Sequence, residues 1–252
     1  MKNSNELRIE QQQFCDYCGK KFSIIGDSIS TLEGYNPKDY KVFYAEDTCI
    51  KSGVRGLQDT WWGKVITFLG GELLVNNSWS GSRVTKLPNK DKLFPSGCSD
   101  ERTSRLHINN HNPDVIIVYL GTNDWAYGVQ VKQETYLLEE DMYDYEVFEI
   151  AYESMIKKIK YNYPCSEIWC CTLSETYMKN NDRFKFPYKY AGNHIEEYND
   201  VISKITQYEK CKLIDLYSKH MPYDSIDGSH PTADGMMTIA TEVIKEIKND
   251  RK

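Results

Sequence analysis

The 252-residue chain lacks any apolar run long enough to cross a bilayer, and its opening segment, Met1 to Gln13, is polar and mixed in charge. A spanning helix needs about 20 apolar residues and a secretory leader needs an apolar core, so the sequence points to a cytoplasmic protein without a membrane span. Clustered basic residues are also missing. The net charge of −6 argues against a polyanionic partner, because phosphate binding needs grouped Lys and Arg, and nucleic acid is excluded on that ground. No Pro/Gly/Ser-rich linker, low-complexity stretch or internal repeat divides the chain. Eight cysteines are too sparse for a disulfide scaffold. Cys170, Cys171 and Cys211 sit in apolar runs where a thiol packs as a small hydrophobe, which suits a reducing compartment. Cys15 and Cys18 form one C-x-x-C, half of a zinc site. No second ligand pair stands at similar spacing, so they are read as free thiols and no metal is expected. No G-x-S-x-G is present, which sets aside the α/β-hydrolase elbow.

What is present is enough apolar material for one core: 40% of residues are hydrophobic and 13% aromatic. A chain of this size buries roughly 70–75% of its unfolded surface. The expected organisation is a polar N-terminal extension, 1–21, and a single domain, 22–252. Five continuous apolar, β-branched or aromatic runs read as strands: Phe22–Gly26, Leu73–Asn77, Val115–Leu120, Glu167–Leu173 and Lys212–Leu216. Continuous runs suit strands covered on both faces. Between them, helical spacing appears at Phe148, Tyr152, Met155, Ile159 and Tyr163, at Tyr198, Val201, Ile202 and Ile205, and from Ala233 to Ile247. The alternation predicts an α/β fold, a three-layer α/β/α sandwich around a mostly five-stranded parallel sheet, with ligands beyond the carboxyl ends of the strands.

Gly26-Asp27-Ser28-Ile29 follows the first strand at once, so Ser28 stands at the carboxyl edge, where a nucleophile or an ordinary turn would equally sit. Asp227-Gly228-Ser229-His230-Pro231 precedes the last helix. It puts a carboxylate and an imidazole three residues apart, as a serine needs if a base is to take its proton and a carboxylate is to steady that base. Alone, the pair reads equally as a capped turn beside a surface histidine. Asn76 to Ser82 follows the second strand and Gly121-Thr122-Asn123-Asp124 the third. Glycine N–H groups and the amides of Asn77 or Asn123 are candidate oxyanion donors, or else turn formers.

The four segments in this order resemble the sequence blocks of the SGNH hydrolases, the GDSL-type esterases and lipases, over residues 22 to about 245. Gly26-Asp27-Ser28-Ile29 is similar to the GDSL block with Ile29 in place of Leu, Gly81 to the block-two glycine, Gly121-Thr122-Asn123-Asp124 to the G-x-N-D block and Asp227-x-x-His230 to the last block. The resemblance implies the flavodoxin-like SGNH fold, with Ser28 as nucleophile, His230 as base and Asp227 orienting it. It assigns the oxyanion to the Ser28 and Gly81 N–H groups and the Asn123 amide. It also implies no cofactor and no metal.

Long segments after strand ends, Tyr35 to Thr60, Trp125 to Tyr145 and Thr176 to Asn193, carry many aromatics and few aliphatics. Aromatic faces with polar edges suit a partly hydrated ligand, so the expected substrate is a short-chain ester, an acetyl group on a sugar or similar polyol. At least half of these aromatics are assigned to packing, while Trp79 and Trp125, flanking candidate donors, are expected to line the pocket. Trp61 and Trp62 are assigned to the core or to contacts within a homo-oligomer. The acidic run Glu139-Glu140-Asp141, with Asp144 and Glu146, is read as a solvated helix start, and His107, His111, His194 and His220 receive no role. Two alternatives stand: a lysophospholipase or thioesterase with longer acyl groups, and a catalytically lapsed binding protein. Acyl transfer to an alcohol other than water shares the same acyl-enzyme.

Overall fold

The computed structural model of the chain describes residues 15–86, 95–132 and 145–249. Five strands build the sheet: β1 (Lys21–Gly26), β2 (Glu72–Asn76), β3 (Val115–Tyr119), β4 (Glu167–Cys171) and β5 (Lys212–Ile214). Their order is β2-β1-β3-β4-β5 and every pairing is parallel, with Phe22 to Gly26 in register against Val115 to Tyr119. Because the side-chain period of a strand is two, β3 feeds both layers. Val115, Ile117 and Tyr119 join one core, whereas Ile116 and Val118 join the other.

Each layer is completed by helices whose apolar stripes match those faces. On one side lie α1 (Trp61–Leu69) and α4 (Ala233–Asn249), which bury Trp61, Trp62, Val65, Met236, Ile239 and Val243. On the other lie α2 (Phe148–Asn162) and α3 (Ile195–Tyr208), which bury Phe148, Tyr152, Met155, Ile159, Tyr198 and Val201. Each such side chain contributes about 1.5–3 kcal/mol on leaving water. Local signals set the helix ends. Thr60 Oγ1 accepts the Gly63 N–H at 3.0 Å to open α1, and Gly70, at φ 70°, closes it in the left-handed conformation.

The predicted three-layer α/β/α sandwich is therefore the observed fold. One boundary differs. Tyr17 is buried against Phe22 and Trp169 and donates to Glu167, so the described part of the segment before residue 22 packs as part of the domain. Trp61 and Trp62 are wholly buried, which places them in the core and away from any subunit contact. Among the described residues, no helix is long and apolar enough to cross a membrane.

Candidate active site

The carboxyl end of β1 runs into a 3-10 turn, Ser28–Ser30, that Asp27 caps by accepting the Ile29 N–H at 3.0 Å. Gly26 leaves little room here: a Cβ would fall 2.9 Å from Ser78 Oγ and 3.1 Å from Ser30 Cβ, so a larger residue would push those side chains aside. Below the turn, Ser30 is held by three donors from the core. The indole N–H of Trp61 reaches its Oγ at 3.2 Å, and the Trp62 indole and the Asn76 amide reach its carbonyl at 3.0 and 2.8 Å. The two tryptophans thus connect the interior of the domain to a residue two positions after Ser28.

The turn before α4 brings Asp227 and His230 to Ser28, 202 positions away in sequence. Asp227 Oδ1 accepts the backbone N–H of Ser229 at 3.0 Å and of His230 at 2.8 Å, while its Oδ2 lies 2.7 Å from His230 Nδ1. A carboxylate only accepts, so Nδ1 carries the proton and Nε2 is left as the acceptor for the Ser28 hydroxyl, 2.9 Å away. Partial burial pushes the Asp227 carboxyl up, but the hydrogen bonds from the His230 ring and backbone, the His230 charge and the Ser229 N–H outweigh it and hold the group below the usual carboxylate range. Such a line of groups can move a proton from the serine to the imidazole while the carboxylate stays ionised.

The candidate oxyanion donors lie on three neighbouring segments, the turns after β1 and β3 and the loop after β2. Among the described residues, no acceptor takes the N–H of Ser28 or of Gly81, the latter held at φ 82°. The Asn123 amide donates to Ser82 O at 2.9 Å, which ties the turn after β3 to the Gly81 loop and commits only one of its two hydrogens. Beneath it the buried Asp124 accepts the N–H groups of Val84 and Thr85, at 2.8 and 3.0 Å, and the Thr85 hydroxyl at 2.7 Å. The Gly81 loop is joined in turn to the nucleophile turn by the Trp79 N–H on Gly26 O at 3.1 Å.

Ser28, Asp227 and His230 therefore meet as the sequence blocks predicted, and the loops of Gly81 and Asn123 are tied together beside them. Asn77 does not share this role. It is fully buried, its Oδ1 accepts from Arg102 at 2.6 Å and its amide donates to Arg105 O at 3.0 Å. Trp79 and Trp125, expected to line the pocket, are both buried, Trp79 with its ring tilted against Tyr40 and Trp125 packed against Phe186 and edge-on to Tyr190. Tyr40 and Tyr44 are buried as well, whereas Tyr35, Tyr127, Tyr177, Tyr188 and Tyr190 are exposed, in line with the division between packing and surface aromatics. Two further residues belong to this region: Phe43, one of the aromatics of the Tyr35 to Thr60 segment, and Arg102, which sequence reasoning passed over. Nothing in that segment marks Phe43 out from the neighbouring aromatics, and Arg102 sits in a polar helical turn that reads as surface.

His220, assigned no role, donates from Nδ1 to Glu175 Oε1, 2.9 Å away. Cys18 is exposed, while the side chain of Cys15 and the run Glu139-Glu140-Asp141 with Asp144 lie outside the described residues. Among the described residues, no group of three His, Cys, Asp or Glu is placed to hold a metal ion.

The GDSL-like lipase/acylhydrolase family model matches residues 20–247. Among solved structures, the chain is similar to one named as a GDSL-like lipase from Bacteroides ovatus, with 25% identity, a TM-score of 0.69, and 92% of this chain and 99% of that one covered. A second, of the same description from Bacteroides uniformis, shows 26% identity and a TM-score of 0.68 over 92% of this chain and 96% of that one. A carbohydrate acetylesterase from Sinorhizobium meliloti, 14% identical with a TM-score of 0.58, shares the fold over 91% of this chain and 99% of that one. No curated protein matches the chain in sequence.

Proposed function

Because the chain belongs to the GDSL-like lipase/acylhydrolase family, we propose that it is a serine esterase acting on short acyl esters, with Ser28 as nucleophile, His230 as general base and Asp227 as the group that orients it. The observation that carries this reading is the unbroken line from Asp227 Oδ2 to His230 Nδ1, 2.7 Å, and from His230 Nε2 to Ser28 Oγ, 2.9 Å.

In the reaction, Ser28 Oγ attacks the acyl carbonyl carbon as its proton passes to His230 Nε2. The tetrahedral oxyanion receives the N–H groups of Ser28 and Gly81 and the amide of Asn123. His230 then gives the proton to the departing alcohol oxygen, which breaks the ester bond and leaves an acyl-serine. Water, deprotonated by the same Nε2, attacks that acyl-serine and returns the hydroxyl to Ser28.

The exposed tyrosines Tyr127, Tyr177, Tyr188 and Tyr190 support a polar, partly hydrated alcohol half. They follow β3 and β4 at the sheet edge that carries Ser28, and rings with hydroxyl edges suit a sugar or polyol better than an alkyl chain. An acetylated carbohydrate is accordingly the proposed substrate class.

The test is a rate comparison on p-nitrophenyl acetate, butyrate, octanoate and palmitate with wild type and Ser28→Ala. A maximum at acetate that disappears in Ser28→Ala is the expected result. A maximum at octanoate or palmitate would move the protein to lysophospholipid or thioester chemistry. Failure of a fluorophosphonate to label Ser28 would make it a binding protein on an esterase scaffold.

A further inference from the structure

Arg102 lies in the short helix Asp100–Ser104, away from the four segments that resemble the esterase blocks, and yet it is completely buried. Its guanidinium has five N–H donors, and all five are matched. Nε donates to Asn77 Oδ1 at 2.6 Å. Nη1 donates to Ser82 Oγ at 2.7 Å and to Pro95 O at 3.3 Å. Nη2 donates to Gly26 O at 3.1 Å and to Asn77 O at 2.8 Å. The ring of Tyr40 covers the group at 5.7 Å and is itself stacked on Trp79 at 4.0 Å.

Every acceptor is neutral. A buried cation without a touching carboxylate is costly, and an apolar side chain of similar volume would pack there at less expense. Burial lowers the guanidinium only to about 10, so it remains charged at neutral pH. The arrangement is therefore unlike a packing residue, and the identity of the acceptors indicates what it serves. Gly26 O is the carbonyl two positions before Ser28. Ser82 directly follows Gly81, and its own carbonyl receives the Asn123 amide at 2.9 Å. One rigid, planar group is thus bonded to the nucleophile turn and to the Gly81 loop, and reaches Asn123 through a single further bond.

We propose that Arg102 is a positioning residue for the esterase reaction: its guanidinium fixes the spacing between the Ser28 turn and the Gly81–Asn123 loops, and so pre-forms the three-donor oxyanion site. The inference rests on the proposed serine-esterase function. Donors aimed in advance at the developing charge act on the transition state and far less on the bound ester. Lys in this position keeps the charge but not the planar five-donor fork.

The experiment compares wild type, Arg102→Lys and Arg102→Met on p-nitrophenyl acetate, with active sites counted by fluorophosphonate labelled to completion and melting temperatures recorded beside the rates. Expected per labelled site are a kcat loss of about 100-fold for Arg102→Met, of the order seen when an oxyanion donor is lost, a smaller loss of about 10-fold for Arg102→Lys, and KM changed by less than about threefold. Ser82→Ala, which removes one of the five bonds and retains the buried arginine, should lower kcat by about 3- to 10-fold with KM unchanged, and it decides the matter if both Arg102 variants fail to fold. A kcat per labelled site within about twofold of wild type, whatever the melting temperature, would reduce Arg102 to scaffold. If wild type itself neither hydrolyses the ester nor takes the label, the esterase assignment fails, not the role of Arg102 within it.

Discussion

The ring of Phe43 lies flat on the imidazole of His230, with centroids 3.4 Å apart and planes within 6°. Its backbone is joined to the Ser28 turn as well. The Phe43 N–H donates to Thr31 Oγ1 at 2.9 Å, and that hydroxyl donates to Ser28 O at 2.9 Å. One residue of the aromatic-rich Tyr35 to Thr60 segment thus holds the His230 ring by its face and the Ser28 turn by its backbone.

In the proposed acylation step the His230 ring becomes cationic, and an aromatic face stabilises a partly desolvated cation by about 0.5–2 kcal/mol. Phe43→Leu retains apolar volume but loses the π face. The expected result is a fall in kcat/KM of about 3- to 30-fold, taking 1.4 kcal/mol as tenfold. Steady-state rates on p-nitrophenyl acetate check this, and a Leu variant as active as wild type would reduce the stack to simple packing.

Asp27 presents a separate, pH-linked expectation. Its Oδ1 caps the Ser28 turn, but its Oδ2 is buried without a hydrogen-bond partner among the described residues. Burial pushes the carboxyl up to about 6, against the opposing pull of the Ile29 N–H and the His230 and Arg102 charges. A carboxyl raised in the folded state costs stability above that value, and the cost fades as pH falls through 6 toward the ordinary 3.8. Two units correspond to about 3 kcal/mol. Asp27→Asn keeps the capping oxygen and cannot ionise, so it should melt higher than wild type at pH 8 and lose that advantage progressively below pH 6, with little left near pH 4. Thermal melts by circular dichroism at the two pH values measure the difference; a variant that melts no higher at pH 8 would show that the buried charge is compensated elsewhere.

The sheet was legible because strands covered on both faces must be apolar throughout. Val115 to Tyr119 is buried along its whole length and stands out as a run for that reason. The candidate catalytic residues were legible because each segment carries its own local mark: Ser28 directly follows a strand, and Asp227 reaches His230 within one turn. What could not be read are contacts fixed only when distant segments pack. Phe43 meets an imidazole near the far end of the chain, and Arg102 is drawn inside by carbonyls that β1 and β2 bring together. Asn77 shows the same limit from the other side. By residue type and position after β2 it qualifies as an oxyanion donor, and only the arginine packed against it turns its side chain to a structural use.

The two oxygens of Asp227 do different work, which makes the neutral amide a sharper test than deletion. Oδ1 takes two backbone N–H groups, from Ser229 and His230, and Oδ2 takes the His230 ring. An amide has a single acceptor oxygen. In Asp227→Asn the two backbone donors fix that oxygen on the Oδ1 side, so the NH2 group faces His230 Nδ1. That nitrogen must then accept, the proton moves to Nε2, and the Ser28 hydroxyl loses its base. Asp227→Ala removes the orienting group but imposes no tautomer. The expected order of kcat on p-nitrophenyl acetate is therefore wild type, then Ala, then Asn, with Asn lower than wild type by about 10⁴-fold. Equal losses in the two variants would mean that the carboxylate acts through charge or placement alone and that the tautomer is set by something other than Asp227.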